Sequence, residues 1–170
     1  MLLQIAEPGQ SKVKEACKPR VVGIDLGTTN SLVAHVADGA PAVLGDDPIV
    51  PSVVFYRADG VEVGRAAQAH AVDAPHETLA SVKRLIGRGM KDVAGVRAML
   101  PYELEGDDRA IRIVAAGRAV SPVEVSAEIL KALKTRAEDA LGGSIEGLQA
   151  QKYYDGSLAE AFDWNLLADF

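Results

Sequence analysis

The chain has 170 residues, of which 48% are hydrophobic and 25% are charged, so it can form one globular domain with a substantial core. Its net charge of −6 argues against a nucleic acid or an anionic membrane held by bulk charge. The single cysteine, Cys17, excludes an internal disulfide and a cysteine-rich zinc site, and no apolar run approaches the ~18 residues of a membrane span, so we expect a cytoplasmic protein.

Short strands are predicted for the first third of the chain. Residues 1–20 form a polar lead-in, and residues 21–26 form a buried apolar strand. The segment SLVAHVADG predicts a second strand that ends at the turn-forming pair Asp38-Gly39, and a short third strand follows in APAVLGDDP. The segments PSVVFY and VEVG predict a further hairpin. Together these strands indicate a meander within one sheet.

Helical signals follow the strands. The Ala-rich segment GRAAQAHAVDA predicts a helix that ends at Pro75. In ETLASVKRLIGR the apolar residues recur at helical spacing as far as Gly87, which predicts a second helix. Residues 88–110 are polar and irregular, and AIRIVAAG alternates like a strand.

The clearest helix lies in SPVEVSAEILKALKTRAEDALGG. Ser121 is a suitable N-cap, Pro122 occupies the first helical position, and Glu124 completes a capping box. Gly142 is placed to end the helix. The apolar residues that recur every four positions are Val125, Ile129, Leu133, Ala137 and Leu141. Strands followed by helices in unequal blocks predict an α/β or α+β fold.

The last segment predicts a second capped helix. Asp155-Gly156 indicates a turn, and Ser157 with Glu160 forms another capping box. An acidic, amphipathic helix is therefore expected after Ser157.

One acidic residue interrupts the first strand, in the stretch VVGIDLGTTNSLVA. Asp25 lies between Gly23 and Gly27 on the strand face opposite to Val22 and Ile24. A carboxylate in such a strand needs a cation, a partner or water, because burial without one is costly. The space that the two glycines leave beside Asp25 predicts a hydrated Mg²⁺ ion, which takes few protein oxygens and keeps several waters.

The turn after this strand is rich in hydrogen-bond donors. Gly27 is expected to adopt a positive φ, and the backbone N–H groups through Thr28, Thr29 and Asn30 can converge on an anion. Glycine, threonine and asparagine are also common in ordinary hairpin turns, so the residues alone leave a phosphate loop and a plain turn both open. The patterns of the P-loop and of the dinucleotide-binding turn are absent.

The stretch GIDLGTTNSLVA resembles the first phosphate motif of the heat shock protein 70 chaperones, within the actin and sugar-kinase superfamily. Three further segments resemble the same family in the same order: PSVVFY, VGRAAQAHAVDAPHETLASVKRLIGR and the long capped helix. The similarity covers residues 21–143. SVKRLIGRGMKDV followed by MLPYELE resembles the bacterial branch that serves iron–sulfur cluster assembly.

The resemblance implies a fold and a set of roles. The fold would be the first lobe, here incomplete, of an α/β actin-like (ribonuclease H-like) ATPase, with ATP or ADP and Mg²⁺ as cofactors. Asp25 would act in catalysis beside the water shell of Mg²⁺, and Lys83 would approach the γ-phosphate and the attacking water. Without the resemblance, Lys83 would be interpreted as a solvated helix charge. The residues that would line the β- and γ-phosphates are Gly27, Thr28, Thr29 and Asn30.

The resemblance also divides the chain into three parts: a flexible lead-in at 1–20, a partial nucleotide-binding domain at 21–143 and a divergent tail at 144–170. The tail lacks the buried strand that the family pattern places after Gly143. We therefore expect a chain truncated within the ATPase domain, with weak or absent ATPase activity, because most of the nucleotide would stay in water.

Family partners are a J-domain co-chaperone and an unfolded or scaffold protein client, with no nucleic acid and no membrane. Two other functions stay open. One is a kinase of the same superfamily that phosphorylates a sugar or an acid, and the other is a non-catalytic fragment that only binds a co-chaperone.

Overall fold

The computed structural model describes residues 20–145 and the backbone of residues 147–150, and the described residues form a mixed α/β structure. The strands are β1 Val21–Leu26, β2 Asn30–Ala37, β3 Ala40–Val43, β4 Val50–Pro51, β5 Val53–Arg57, β6 Gly60–Val63, β7 Thr78–Ala80, β8 Glu103–Gly106, β9 Ile111–Ala115, β10 Arg118–Val120 and β11 Gly147–Ala150. The α-helices are α1 Arg65–Ala69 and α2 Pro122–Leu141, and Val82–Leu85 and Arg97–Met99 form 3₁₀ helices. The predicted lead-in, up to residue 19, and the predicted helix after Ser157 lie outside the described residues.

The first sheet contains the strand with the acidic residue. Its order is β11-β1-β2-β3, and β4 pairs with the start of β2. The β2–β3 hairpin turns through Asp38 and Gly39, both with positive φ (50° and 81°), as the pattern predicts. Val22 and Ile24 are each 1% exposed, so the predicted buried face of β1 is confirmed. The first three predicted strands are confirmed as well.

The predicted hairpin of PSVVFY and VEVG forms, but the prediction of one continuous sheet is wrong. Strands β5 and β6 belong to a separate sheet with the order β6-β5-β7. The first sheet ends where the Ser52 N–H donates to the Thr29 carbonyl at 2.8 Å, and the chain then turns away. Residues 53–56 are all buried, because β5 is the central strand of its own sheet and is covered on both faces.

The prediction of one helix over ETLASVKRLIGR is also wrong, because the segment forms a short strand and a 3₁₀ turn. Thr78–Ala80 forms β7, which pairs antiparallel with β5, and Val82–Leu85 forms one 3₁₀ turn. Ser81 separates them in the left-handed conformation, with φ 58°. Pairing with β5 outweighs the local helical spacing, and the three-residue spacing of the buried Val82 and Leu85 suits a 3₁₀ helix.

The third sheet has the order β10-β9-β8. Strand β9 confirms the prediction for AIRIVAAG, whereas β8 lies in a segment expected to be irregular. In β8 the alternation of apolar and polar residues is weak, because Leu104 is its one buried residue. Strand β10 has three residues, which is too short for a pattern.

Helix α2 follows its prediction closely. The Ser121 side chain accepts from the Glu124 N–H, and the Glu124 carboxylate accepts from the Ser121 N–H, so the capping box is formed. Gly142 ends the helix in the left-handed conformation. The predicted stripe is buried, except that Leu141 is half-buried. None of the helices in the described part is long and apolar enough to cross a membrane.

One main core joins the three sheets to α2. The helix packs on strands of each sheet, namely β1, β2, β5, β6 and β9, and on the 3₁₀ turn at Val82–Leu85. Val33, Val54, Ile113 and Leu133 are among its fully buried side chains. Aliphatic residues dominate this core, as the low aromatic content indicates. The shared core fixes the end of β1 relative to the 3₁₀ turn.

The end of the described chain contains a strand that the sequence analysis does not expect. Strand β11 pairs parallel with β1, with Val21 opposite Gly147 and Ile24 opposite Ala150. It occupies the edge of β1 that β2 leaves open, and a contact of this kind is not visible in a local pattern. The expectation that no strand follows Gly143 is therefore wrong. The domain boundary at 143/144 stays a prediction.

Candidate functional site

The turn between β1 and β2 consists of Gly27, Thr28 and Thr29. A Cβ atom at Gly27 would lie 2.0 Å from the Asn30 carbonyl oxygen and 3.2 Å from its carbon, so no other residue fits without a backbone shift. Gly27 does not have a positive φ, so the prediction of that conformation is wrong. Glycine is required here by the close approach of Asn30 and not by backbone handedness.

Two buried serines hold the Gly27 backbone. The Gly27 N–H donates to Ser31 Oγ at 3.2 Å, and Ser52 Oγ donates to the Gly27 carbonyl at 2.9 Å. The two hydroxyls are 2.8 Å apart. Because the single Ser52 proton goes to Gly27, Ser31 must donate to Ser52. The result is a closed ring of three hydrogen bonds around one residue of the turn, which we call the serine ring (Gly27, Ser31 and Ser52).

The outer part of the turn keeps its donors available. The carbonyl of Thr29 accepts from the Ser52 N–H at 2.8 Å. By contrast, the N–H groups and hydroxyls of Thr28 and Thr29 make no hydrogen bond to any residue that the structure describes. Thr28 is half-buried and Thr29 is exposed. These are the donors that an anion could bind.

Lys83 lies at this turn although 57 residues separate it from the end of β1. Its Nζ donates to the Leu26 carbonyl, the last residue before Gly27. The lysine is half-buried, between the buried Val82 and Leu85. The interpretation of Lys83 as a solvated helix charge therefore does not fit the structure.

The chain before Lys83 is fixed from two sides. Strand β7 is paired with β5, and the hydroxyl of Tyr102 donates to the carbonyl of Ala80 at 3.1 Å. Burial raises the pKa of Tyr102 to about 12, so this hydroxyl keeps its proton at neutral pH. Ser81 then takes the left-handed conformation that directs Lys83 back toward β1.

Asp25 lies two residues before Gly27 and is half-buried. Its carboxylate has no hydrogen-bond or ion-pair partner among residues 20–145. The same residues contain no group of three or more histidine, cysteine or acidic side chains that could hold a metal. A carboxylate without a partner among these residues fits Mg²⁺, which is commonly held by one or two carboxylates together with substrate phosphates.

The structure thus places Lys83 at the turn, with Asp25 two residues before it in β1, while the roles of these residues stay predictions. Sequence reasoning missed Ser31 and Ser52. Both are serines within largely apolar strand segments, and this signal marks buried hydroxyls that need partners. No local pattern could have paired them, because 21 residues separate them.

Residues 21–149 match the protein-family model described as Hsp70 protein. A chaperone protein HscA homolog of Colwellia psychrerythraea is 50% identical over 150 residues, covering 86% of this chain and 24% of that protein. The homolog of Laribacter hongkongensis is 49% identical over 166 residues, and that of an Azoarcus species is 50% identical over 167 residues. Each of these two alignments covers 94% of this chain and 26% of the relative. The chain therefore spans about a quarter of the length of these relatives.

Proposed function

This chain belongs to the Hsp70 protein family, whose model matches residues 21–149, and from that premise we propose that the β1–β2 turn and Lys83 bind the phosphates of Mg·ATP. The described residues would then form part of the first lobe of an actin-like (ribonuclease H-like) ATPase. The protein would be an ATP-dependent chaperone of the branch that serves iron–sulfur cluster assembly. Its similarity to the HscA homologs supports this choice of branch.

The observation that carries the proposal is the hydrogen bond from Lys83 Nζ to the Leu26 carbonyl. It places a cation beside a turn in which the N–H groups of Thr28 and Thr29 have no partner in the described part of the chain. An ammonium group has three N–H bonds, so two of them remain for phosphate oxygens when one is held by Leu26. A plain hairpin turn needs neither the cation nor the free donors.

The remaining residues have complementary roles. The N–H groups and hydroxyls of Thr28 and Thr29 donate to the β- and γ-phosphate oxygens. Lys83 places its positive charge where negative charge develops on the transferring phosphoryl group. The carboxylate of Asp25 accepts hydrogen bonds from water in the metal's shell. Bound Mg²⁺ supplies further neutralisation of the phosphate charge.

The family assignment favours the chaperone over a kinase that phosphorylates a sugar or an acid. As partners we propose a J-domain co-chaperone and an unfolded or scaffold protein client in the cytoplasm. The acidic net charge is compatible with this setting, and it does not favour a nucleic acid.

Calorimetric titration of the 170-residue chain with Mg·ATP tests the proposal. We expect weak binding, with a dissociation constant above about 1 μM, because the identified donors contact only phosphates. Lys83→Met should weaken binding about tenfold or more, since a charge-assisted hydrogen bond is lost.

The matched control is Lys131→Met, which removes a lysine of α2 that pairs with Glu128 at 3.1 Å. It should leave the affinity for Mg·ATP unchanged. Equal losses in the two variants, or no binding at millimolar Mg·ATP, would contradict the phosphate site. A chain that fails to bind Mg·ATP but captures a J-domain protein would instead support the non-catalytic alternative.

A further inference from the structure

The hydrogen bonds of the serine ring orient the peptide groups on both sides of Gly27. Every peptide bond in the described residues is trans, so the N–H and the C=O of one peptide unit point in opposite directions. In the unit between Leu26 and Gly27, the N–H donates to Ser31 and the C=O accepts from Lys83. Ser31 and Lys83 therefore hold opposite sides of the same peptide plane.

The next peptide unit continues the arrangement. The carbonyl of Gly27 accepts from Ser52 Oγ, and the Thr28 N–H belongs to the same plane. Because the unit is trans, the hydroxyl of Ser52 directs the Thr28 N–H away from the buried serines. This N–H is one of the donors without a partner in the part of the chain that the structure describes.

Burial makes the ring rigid. Ser31 is 2% exposed and Ser52 is 4% exposed, so water does not compete for their hydroxyls. Each hydroxyl donates one hydrogen bond and accepts at least one, which satisfies both buried groups. Removing either hydroxyl would leave the other, or a Gly27 backbone group, without its partner.

We propose that Ser31 and Ser52 are positioning residues, which hold the two peptide planes around Gly27 so that the Thr28 N–H and Lys83 face the same bound phosphate. This inference rests on the phosphate-binding function proposed above and assigns the control of donor orientation to two buried hydroxyls. Neither serine touches the nucleotide. Their effect on binding passes through Gly27.

The test compares Ser52→Ala and Ser31→Ala with Ser126→Ala in the 170-residue chain. Ser126 is a matched control, because it is also a buried serine with one hydrogen bond to a carbonyl, that of Pro122 at 2.8 Å, but it lies in α2. The two ring variants should lower Tm, whereas Ser126→Ala should change it little, because the Pro122 carbonyl keeps its backbone hydrogen bond within α2. The dissociation constant for Mg·ATP should rise about tenfold in the two ring variants and less than about twofold in Ser126→Ala.

A second measurement follows the amide groups of the turn in the absence of nucleotide. In Ser31→Ala and Ser52→Ala, hydrogen exchange of the Gly27 amide should accelerate about tenfold, and the amide resonance of Thr28 should move. Ser126→Ala should change neither. If Ser52→Ala does not fold, Ser52→Cys keeps nearly the same volume with a much weaker donor and serves in its place.

The outcomes separate this inference from the proposed function. If the unmodified chain binds Mg·ATP and the ring variants lose no more affinity than Ser126→Ala, the positioning role is overturned while phosphate binding stands. If the unmodified chain does not bind Mg·ATP, the proposed function fails. In that case an unchanged exchange rate of the Gly27 amide in Ser52→Ala would also overturn the control of the turn by the serine ring, and an accelerated rate would support that control without a role in phosphate binding.

Discussion

Helix α2 and the β1–β2 turn are both well-defined parts of this protein, but their determinants lie at different distances along the chain. Every cap of α2 is supplied by residues 121–142, and its buried stripe repeats within the helix. The turn depends on Ser31, Ser52 and Lys83, and the last two lie 25 and 57 residues from the groups that they hold. A local element can be recognised from its own sequence, whereas the geometry of a binding turn depends on the fold around it.

The largest expected effect is that of Gly27→Ala, which breaks the turn directly. A Cβ at this position would lie 2.0 Å from a backbone oxygen, and backbone cannot move aside as a side chain can. We expect a loss of about 3 kcal/mol or more in the free energy of unfolding, with no detectable binding of Mg·ATP. Chemical denaturation and calorimetry measure the two effects.

Gly60→Ala is the matched control for that substitution. Gly60 lies in the β5–β6 hairpin, without a positive φ, and its Cβ would meet no atom within 4 Å. It should change stability by less than about 0.5 kcal/mol. A Gly27→Ala variant as stable as Gly60→Ala would show that the close approach of Asn30 does not constrain the turn.

A smaller effect is expected for Tyr102→Phe, which loosens the segment before Lys83. The variant loses the hydrogen bond to the Ala80 carbonyl, at a cost of about 1 kcal/mol, and Mg·ATP binding should weaken severalfold. Tyr56→Phe is the control, because the buried Tyr56 hydroxyl has no hydrogen-bond partner within the described residues. Equal affinities in the two variants would contradict a role of Tyr102 in placing Lys83.

The same tyrosine predicts a pH dependence. Burial raises the pKa of Tyr102 from 10.0 to about 12 in the folded protein. The resulting stabilisation is fully present below pH 10 and is lost as the pH rises from about 10 through 12. Denaturation at alkaline pH should therefore show a steeper loss of stability in the unmodified chain than in Tyr102→Phe.

The smallest effect on stability and binding is expected for Ser121→Ala, which removes the capping box of α2. Hydrogen bonds from the Ser121 side chain and backbone hold the pKa of Glu124 below its ordinary value of 4.5. A lowered pKa stabilises the folded state above that value, and the contribution is lost as the pH falls below 4.5 through the folded-state pKa. Ser121→Ala should cost about 1 kcal/mol at neutral pH while leaving Mg·ATP affinity unchanged.

Acid denaturation of Glu124→Gln isolates the titration of this carboxyl. Glutamine keeps the capping hydrogen bond without an ionisable group. Its stability should therefore depend less on pH than that of the unmodified chain below pH 4.5. Identical acid profiles would show that the capping box contributes nothing through the charge of Glu124.

The same contrast explains which parts of the fold can be predicted. The capping box, the stripe of α2 and the Asp38-Gly39 hairpin are encoded by neighbouring residues, and all three are confirmed. The prediction of a helix in ETLASVKRLIGR was wrong because pairing of Thr78–Ala80 with β5 overrides the helical pattern. Strand β11 was missed because its partner, β1, lies more than a hundred residues earlier in the chain.

The candidate site was predicted in a similar, partial way. Residue types pointed to Asp25 and the turn, whereas Lys83 came from the resemblance to the family, and the structure places Lys83 at the turn. The conformation of Gly27 was predicted wrongly, because a glycine that is needed for lack of space has the same sequence signature as one that is needed for a positive φ. The apolar surroundings of Ser31 and Ser52 indicate buried hydroxyls, but no local pattern could pair two serines that are 21 residues apart.

The most direct test of the central claim is a titration of the isotopically labelled 170-residue chain with Mg·ATP, followed through backbone amide resonances by NMR. If the β1–β2 turn and Lys83 bind phosphate, the largest shifts should fall at Gly27, Thr28, Thr29 and Lys83. The amides of α2 should move little. Saturable shifts concentrated in α2, or none at the turn at millimolar Mg·ATP, would contradict the account.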